Sequence, residues 1–207
     1  MPNLTIRPAM PDDFAAIKAL NDSVVALTSP LDIERIACLH AISCYHRVVE
    51  QVGSISAFLL GFGPGLEYDS SNYQWFDQRY DNYTYIDRIV VKDSYRGQGL
   101  GRLLYEDFFA WADERQVPNI VCEYNSKPLN EVSRKFHDAL GFQEVAAEAL
   151  SPAKQVSMQA ISRHARLHPD IGRESGEKQR VIDTTGGKDR DHQSTIRQGT
   201  GPAGKRW

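Results

Sequence analysis

The chain has 207 residues, and its 24 basic and 27 acidic side chains leave a formal charge of −3. That balance argues against a dedicated nucleic-acid binder, because such domains are usually strongly basic. A hydrophobic content of 41% is enough for a core, and no apolar run approaches the roughly 20 residues of a membrane-spanning helix. The N-terminus has no basic stretch followed by an apolar one, so we expect no secretory signal.

The cysteines and histidines show no spacing that indicates a disulfide framework or a metal site. Cys38, Cys44 and Cys122 are an odd number without a CxxC pair, and His40 and His46 lack metal-ligand spacing. Reduced thiols are typical of proteins in a reducing compartment. The sequence therefore predicts a cytoplasmic protein without a bound metal.

The last 46 residues, 162–207, differ from the rest in composition. They include ten Lys or Arg, six Asp or Glu and seven glycines, but only eight apolar residues without a regular period. Such a segment cannot bury enough surface to offset its ordering entropy. We expect a domain at residues 1–161 (14 basic and 21 acidic, net −7) and a disordered tail at 162–207 (net +4). The tail is interpreted as a solvated extension or, alternatively, as an arm for an acidic partner.

The sequence pattern in the first half of the domain predicts a strand, two helices and a hairpin. The predicted elements are a strand at 3–7, a helix from 11, a helix at about 31–43, and strands at 45–52 and 54–62. Pro11 followed by two acidic residues is typical of a helix start, and Gly53 is the hinge of the hairpin. The next segment, 63–82, is predicted to be a long polar loop rich in aromatic residues.

The second half alternates strands and helices less regularly. The predicted elements are a strand at 83–91, a helix from 100 to about 116, a strand at 119–124, a helix at 130–140 ending at Gly141, and strands at 142–147 and 155–161. The apolar spacing predicts that the first helix buries Leu100, Leu103, Leu104, Phe108 and Trp111, and that the second buries Val132, Phe136, Ala139 and Leu140. The order of elements predicts a mixed sheet and not a regular βαβ alternation.

A glycine-rich loop connects the strand at 83–91 to the following helix. Gly97, Gly99 and Gly101 allow the backbone to approach an anion, and the free N–H groups of the helix can bind phosphate. The loop lacks the Gly-Lys-Ser/Thr ending of a P-loop, and it lacks the spacing and later acid of a dinucleotide fold. It is interpreted as a phosphate-binding loop of another kind or, alternatively, as a tight turn.

Two blocks of the sequence resemble the GNAT N-acetyltransferase superfamily. The loop Arg96-Gly97-Gln98-Gly99-Leu100-Gly101 is similar to the R/Q-x-x-G-x-G/A loop that follows the fourth strand of that family. The second block is similar to the family's N-x-x-A-x-x-[LF]-Y-x-x-x-G-F helix, through Asn130, Ser133, Phe136, His137, Gly141 and Phe142. The resemblance covers about residues 3–161. It implies an α/β (α+β mixed) GNAT-like fold, with a largely antiparallel central sheet, a splay between strands 4 and 5, and about four flanking helices.

The resemblance implies that acetyl-CoA binds as a co-substrate in the splay, the gap between the strands at 84–91 and 119–124. Its pantetheine arm would pair with the strand backbone, and its pyrophosphate would bind the glycine loop. The expected cofactor-binding residues are Ile89, Val90, Val91, Arg96, Gly97, Gln98, Gly99, Leu100, Gly101, Arg102, Asn130, Ser133 and Phe136.

In this family an amine attacks the thioester directly, so the enzyme must remove a proton, stabilise an oxyanion and protonate the departing thiolate. Deprotonating a lysine-type amine with a pKa near 10.4 costs about 4.6 kcal/mol at pH 7, against about 1.1 kcal/mol for an α-amine near 7.8. A general base is therefore expected for the lysine type. The oxyanion is expected to be stabilised by a backbone N–H near Val91.

Glu123 and Asp87 are the candidates for the base. Glu123 matches a glutamate that some family members use, and Asp87 is expected to share one face of the central strand with Ile89. The alternative for each carboxylate is a structural ion pair, for example that of Asp87 with Arg88 or Arg47.

His137 stands where the family usually has a tyrosine as the general acid. A histidine with a pKa near 6.5 is only partly charged at pH 7, but it can still donate one N–H to the thiolate. The alternative is a histidine that fills space beside Phe136.

The resemblance implies that the first two helices and the segment 63–82 shape the acceptor pocket. The aromatic residues of that segment are expected either to cage an amine or to fold back onto the core. We expect an acetyl-CoA-dependent N-acetyltransferase acting on a primary amine of a small molecule or peptide, with no nucleic-acid or membrane partner and with a homodimer left open. The alternatives are a non-catalytic acyl-CoA-binding sensor or interaction module, and a transferase that uses a longer acyl-CoA.

Overall fold

The computed structural model describes residues 4–25 and 28–163 of the chain. Within these residues, five α-helices flank one seven-stranded sheet. The strands are Leu4–Pro8 (β1), Tyr45–Gln51 (β2), Ser54–Phe62 (β3), Tyr83–Val91 (β4), Asn119–Lys127 (β5), Gln143–Ser151 (β6) and Lys154–Ser162 (β7). The helices are Phe14–Asp22 (α1), Ile33–Ile42 (α2), Ser71–Asp77 (α3), Leu100–Glu114 (α4) and Glu131–Leu140 (α5).

The strand order is β1-β2-β3-β4-β5-β7-β6, and every neighbouring pair is antiparallel except β4 and β5. These two strands pair in parallel only from Tyr83 opposite Asn119 to Tyr85 opposite Val121. The pairing ends there, and this opens the splay. The predicted α/β fold, with a largely antiparallel sheet and a splay between strands 4 and 5, is confirmed.

Two apolar clusters attach the helices to the sheet, one on each face. The first joins residues of α1, α2 and α3 to strand positions that include Tyr85 and Val90. The second joins α4 to the opposite strand positions, including Ile86 and Ile120, and Phe136 of α5 packs against it. The splay therefore lies between α1–α3 on one side and α4 and α5 on the other.

Local sequence explains where several elements begin and end. Val52 and Gly53 have positive φ angles of 50° and 71°, the conformation that suits a two-residue turn between antiparallel strands. Asp32 caps α2 by accepting a hydrogen bond from the N–H of Arg35 at 2.7 Å. Gly141, with a φ of 89°, ends α5 as the sequence predicts.

The segment 63–82 contains the helix α3, so the prediction of a loop throughout was wrong. A helix of seven residues is too short to show a clear period, and its aromatic residues obscured the pattern. Tyr68, Tyr73 and Phe76 are buried in the first apolar cluster, and Trp75 and Tyr80 pack against it. Of the two alternatives for these aromatic residues, the packing favours the one in which they fold back onto the core.

The predicted buried faces of two helices need correction. The helix α4 buries Leu100, Leu104 and Phe108 as predicted, but Leu103 is exposed and Trp111 is only half-buried. It also buries Tyr105, Phe109 and Ala112, which were not predicted. The buried stripe is wider than predicted because α4 lies between the sheet and the aromatic rings of α5 and Phe142.

In α5, Val132 is 79% exposed and Ala139 is also exposed, whereas His137 is buried. The helix faces the core through His137 and Phe136, which both pack on the ring of Tyr105. Val132 and Ala139 lie beside this buried stripe. The buried face of α5 was predicted wrongly because the prediction used only the apolar character of these residues.

Among residues 4–25 and 28–163, no helix is long and apolar enough to cross a membrane, and no group of three or more His, Cys, Asp or Glu could hold a metal ion. All three cysteines are free. β7 extends through Ser162, and Arg163 donates its N–H to the carbonyl of Pro118 at 2.6 Å. The remainder of the tail predicted at 162–207 lies outside the residues that the structure describes.

Candidate active site

The open edge of β4 carries main-chain groups that face the splay. The N–H of Lys92, directly after β4, donates to the carbonyl of Ser56 at 2.9 Å on the β3 side. Because the direction of main-chain groups alternates along an antiparallel strand, Val90 also faces β3, and Ile89 and Val91 face away from it. Since β5 has already ceased to pair with β4, the N–H and C=O groups of Ile89 and Val91 can bind an extended ligand.

The glycine loop ends at the first turn of α4, directly beyond β4. Gly97 and Gly99 have φ angles of 76° and 85°, a left-handed conformation that strains any residue with a side chain. The first main-chain hydrogen bond of the helix runs from Leu103 N–H to the carbonyl of Gly99 at 3.0 Å. The N–H groups before Leu103 therefore precede the helical ladder, and the loop fits an anion such as pyrophosphate.

The two basic residues expected at the loop are accessible to a ligand. Arg96 is more than half exposed and forms an ion pair with Asp93 at 2.9 Å, and Arg102 is exposed on the first turn of α4. Gln98 and Leu100 complete the loop, with Leu100 buried beneath it.

The N-terminal part of α5 lies beside the glycine loop. A Cβ atom on Gly101 would lie 3.5 Å from the ring of Phe136, so this glycine allows α4 and α5 to approach each other. The side chain of Asn130 caps α5 by accepting the N–H of Ser133 at 3.1 Å. Asn130, Ser133 and Phe136 thus border the splay on the side of α5.

Glu123 lies on β5, two residues beyond the last β4–β5 pair. Its Oε1 accepts hydrogen bonds from Nδ2 of Asn72 at 2.7 Å and from the hydroxyl of Tyr85 at 3.0 Å. Its Oε2 is buried and has no hydrogen-bond partner within residues 4–25 and 28–163. Burial raises the pKa of Glu123 to about 7, and the hydrogen bond from Asn72 opposes that rise. Such a carboxylate can accept a proton near neutral pH.

Asp87 is engaged in a buried ion pair. It accepts hydrogen bonds from the Arg88 guanidinium and from the Tyr68 hydroxyl, both at 2.6 Å. Its side chain is 4% exposed and that of Arg88 is 6% exposed. These contacts favour the structural ion pair over the general base.

The expectation that Asp87 shares a face with Ile89 was wrong. The β3–β4 register shifts between Leu60 and Gly61, where an extra residue is accommodated in β4. Such a bulge reverses the alternation of side chains beyond it. Asp87 therefore contacts Tyr68 on the α3 side, whereas Ile89 packs with the α4 cluster.

His137 is buried, and both of its ring nitrogens are engaged. Nδ1 lies 2.8 Å from the carbonyl oxygen of Ser133, which can only accept, so this nitrogen carries the hydrogen. Nε2 then accepts from the Tyr105 hydroxyl at 2.8 Å, since burial raises the pKa of Tyr105 well above its usual range. Burial also lowers the pKa of His137. This arrangement favours packing over proton donation by His137.

The structure adds residues that the sequence did not single out. Asn72 and Tyr85 reach Glu123 from α3 and β4, and Tyr124 stacks on the ring of His137. Tyr124 was detectable as a polar residue next to Glu123, with its side chain on the opposite face of the strand. Asn72 had no such signal, because it lies in a segment whose helix was not predicted.

The fold and the glycine loop together define an acyltransferase-like architecture, and the comparison with protein families agrees. The family model described as "Acetyltransferase (GNAT) family" matches residues 28–142, more than half of the chain. The chain therefore belongs to the GNAT acetyltransferase family. Comparison with curated protein sequences gives no match.

Solved structures described as acetyltransferases share this fold at low sequence identity. The ribosomal-protein-S18-alanine N-acetyltransferase from Escherichia coli is 18% identical with a TM-score of 0.62, over 82% of this chain and 100% of that one. A putative acetyltransferase from Salmonella typhimurium, solved with its cofactor acetyl-CoA, is 19% identical with a TM-score of 0.60, over 82% and 99%. A putative acetyltransferase from Acinetobacter baylyi is 18% identical with a TM-score of 0.62, over 82% and 97%.

Proposed function

We propose that this chain is a cytoplasmic N-acetyltransferase that transfers an acetyl group from acetyl-CoA to a primary amine of a small molecule or peptide. The observation that carries the proposal is Glu123, a buried carboxylate with a pKa raised to about 7 at the mouth of the splay. The Salmonella protein with the same fold is described with acetyl-CoA, and the Escherichia coli protein is named as an alanine N-acetyltransferase.

Acetyl-CoA is the acyl donor in this proposal, and it supplies a thioester that an amine can attack. The main-chain groups of Ile89 and Val91 bind its extended arm, and the N–H groups of the glycine loop bind its pyrophosphate. Arg96 and Arg102 add positive charge at that loop. The remaining members of the proposed cofactor site are Val90, Gly97, Gln98, Gly99, Leu100, Gly101, Asn130, Ser133 and Phe136.

Glu123 acts as the general base. Its Oε2 has no hydrogen-bond partner among the described residues, while Asn72 and Tyr85 hold Oε1 in a fixed direction. A base with a pKa near 7 is largely ionised just above neutral pH and still takes a proton effectively. A main-chain N–H of the open β4 edge stabilises the oxyanion.

The acceptor approaches from the side of α1, α2 and α3. Glu123 gives that side one acidic group beside an aromatic layer, and the charge of Asp87 there is balanced by Arg88. The domain at residues 1–161 has a formal charge of −7, which also favours a cationic amine over an acidic acceptor.

The test is release of free CoA thiol from acetyl-CoA in the presence of an amine panel. The panel contains small primary amines, a lysine-type peptide amine and an α-amino peptide, each with a matched N-acetylated control. We expect thiol release that depends on a free amine, with mass spectrometry of the product showing one added acetyl group. Tight acetyl-CoA binding without turnover of any amine would favour the non-catalytic acyl-CoA sensor, for which the engaged ring of His137 is the supporting observation.

A longer acyl group is tested by offering propionyl-CoA and longer thioesters to the same enzyme. A higher kcat/KM with these donors than with acetyl-CoA would contradict the acetyl specificity and leave the acyltransferase class intact.

A further inference from the structure

The mouth of the splay carries one side chain on each side of β5. Glu123 and Tyr124 are the second and third residues beyond Val121, the last β5 residue that pairs with β4. Adjacent side chains on a strand point to opposite faces, so Glu123 faces α3 and Tyr124 faces α5. The contacts agree, because Glu123 binds Asn72 of α3 and Tyr124 stacks on His137 of α5.

The ring of Tyr124 is held while its hydroxyl remains available. Its ring centroid lies 5.9 Å from that of His137, at an interplanar angle of 21°. The side chain is half-buried, and in the region that the structure describes its hydroxyl has no hydrogen-bond partner. By contrast, the hydroxyl of Tyr105 is buried and already donates to His137.

Departure of a thiolate needs a proton donor at this mouth. A simple thiol has a pKa near 8.5, so at pH 7 the free thiol is the stable product. His137 offers no free N–H, since Nδ1 binds the Ser133 carbonyl and Nε2 accepts from Tyr105. A phenol carries a proton that it can donate.

We propose that Tyr124 is the general acid of this acetyltransferase and that His137 is a positioning residue that holds its ring by stacking. The proposal rests on the proposed acetyl transfer. The amine nitrogen forms a bond to the acetyl carbon, and the bond from that carbon to sulfur breaks. The amine proton passes to Oε2 of Glu123, and the sulfur takes the proton of the Tyr124 hydroxyl. The phenolate then recovers a proton from solvent after the products leave.

The charged groups near Tyr124 suit this role. The pKa of Arg134 is raised chiefly by its hydrogen bond to Glu131, and Tyr124 contributes in the same direction. The charge of Arg134 is itself balanced by ion pairs with Glu131 at 2.7 Å and Asp138 at 3.3 Å. Glu123 lies on the opposite face of β5, and His137 faces Tyr124 as a neutral ring because burial lowers its pKa.

The test is Tyr124→Phe in the full chain, which removes one oxygen and keeps the stacked ring. We expect kcat to fall about 100-fold or more, in the range typical of a lost general acid. Dissociation constants for acetyl-CoA and CoA, measured by calorimetry, should stay within about twofold, because the ring remains in its stack. The acidic limb of the pH profile, assigned to Glu123, should remain.

Tyr45→Phe is the control, since it also removes one phenolic oxygen, and Tyr45 of β2 contacts Asp107 of α4 outside the proposed cofactor and acceptor sites. The kcat of Tyr45→Phe should equal that of the wild type. The Tyr124 proposal is overturned if Tyr124→Phe keeps kcat within about threefold of Tyr45→Phe, or if its whole effect lies in the dissociation constants. Failure of the wild-type chain to acetylate any amine would instead contradict the proposed function itself.

His137→Ala tests the positioning role. Loss of the stacked ring should lower kcat with little change in the acidic limb, and His137→Phe, which keeps an aromatic ring, should recover most of the loss. If kcat falls equally in His137→Ala and His137→Phe, the nitrogen atoms of His137 are required and stacking does not explain its role.

Discussion

The side-chain amide of Asn72 donates a hydrogen bond to Oε1 of Glu123 at 2.7 Å, linking α3 to β5 across the mouth of the splay. This bond stabilises the ionised carboxylate, while burial of Glu123 favours its protonated form. Asn72 therefore controls the pH at which the proposed base becomes active.

Asn72→Ala is expected to shift the acidic limb of the kcat/KM profile to higher pH. The hydrogen bond from Asn72 lowers the pKa of Glu123, so its removal raises that pKa above about 7. A hydrogen bond to a charged group contributes roughly 1.5–3 kcal/mol, which corresponds to a shift of about one pH unit or more. Rates measured between pH 5.5 and 9 check the shift. Asn82→Ala, in the exposed turn before β4, is the control and should leave the limb where it is in the wild type.

The bond between Asn72 and Glu123 could not be foreseen from the sequence. The segment 63–82 predicts a loop because its aromatic residues lack a helical period, and only packing of Tyr73 and Phe76 against the core reveals α3. A contact between residues 51 positions apart depends on that packing. In contrast, the hairpin at Gly53 and the glycine loop could be predicted, because local backbone conformation determines them.

Asp87 shows a second limit of sequence patterns. Alternation along a strand predicts its face only when the strand is regular, and the bulge opposite Leu60 and Gly61 reverses that alternation. The family resemblance identified His137 as a candidate site residue. The orientation of its ring depends on the hydrogen bond with Tyr105, and Tyr105 was not among the residues that α4 was predicted to bury.

Asp87→Asn is expected to destabilise the protein while shifting the acidic limb to lower pH. Arg88 would remain buried without its carboxylate, and breaking a buried pair in this way typically costs about 3–5 kcal/mol. The negative charge of Asp87 raises the pKa of Glu123, so its removal lowers that pKa. Thermal unfolding and the kcat/KM profile check the two effects separately.

Asp107→Asn is the control, because it removes the less buried ion pair between Asp107 and Arg47. It should lower the melting temperature less than Asp87→Asn does. A loss of the acidic limb in Asp87→Asn, with thermal stability unchanged, would identify Asp87 as the base and contradict the assignment to Glu123.

Glu123→Gln is expected to affect high-pKa amines more than low-pKa amines. Without a base, a lysine-type amine bears a deprotonation cost of about 4.6 kcal/mol at pH 7, against about 1.1 kcal/mol for an α-amine. We therefore expect kcat/KM to fall at least tenfold further for the lysine-type acceptor, with the acidic limb near pH 7 lost. Glu106→Gln, on the exposed face of α4, is the matched control and should retain wild-type rates. Equal losses for both amines would indicate that Glu123 binds the acceptor and does not deprotonate it.

Gly99→Asp is expected to weaken binding of CoA more than Gly99→Asn does. Gly99 has a φ of 85°, and no atom lies within 4 Å of a Cβ atom added there, so the two variants share a similar backbone strain and differ mainly in charge. Asparagine tolerates the left-handed conformation, whereas aspartate also places a negative charge among the N–H groups proposed to bind pyrophosphate. We expect the dissociation constant of CoA to rise about tenfold or more from Gly99→Asn to Gly99→Asp, with the difference reduced at high ionic strength. Calorimetric titrations at low and high salt measure it, and identical affinities for the two variants would mean that the pyrophosphate binds elsewhere.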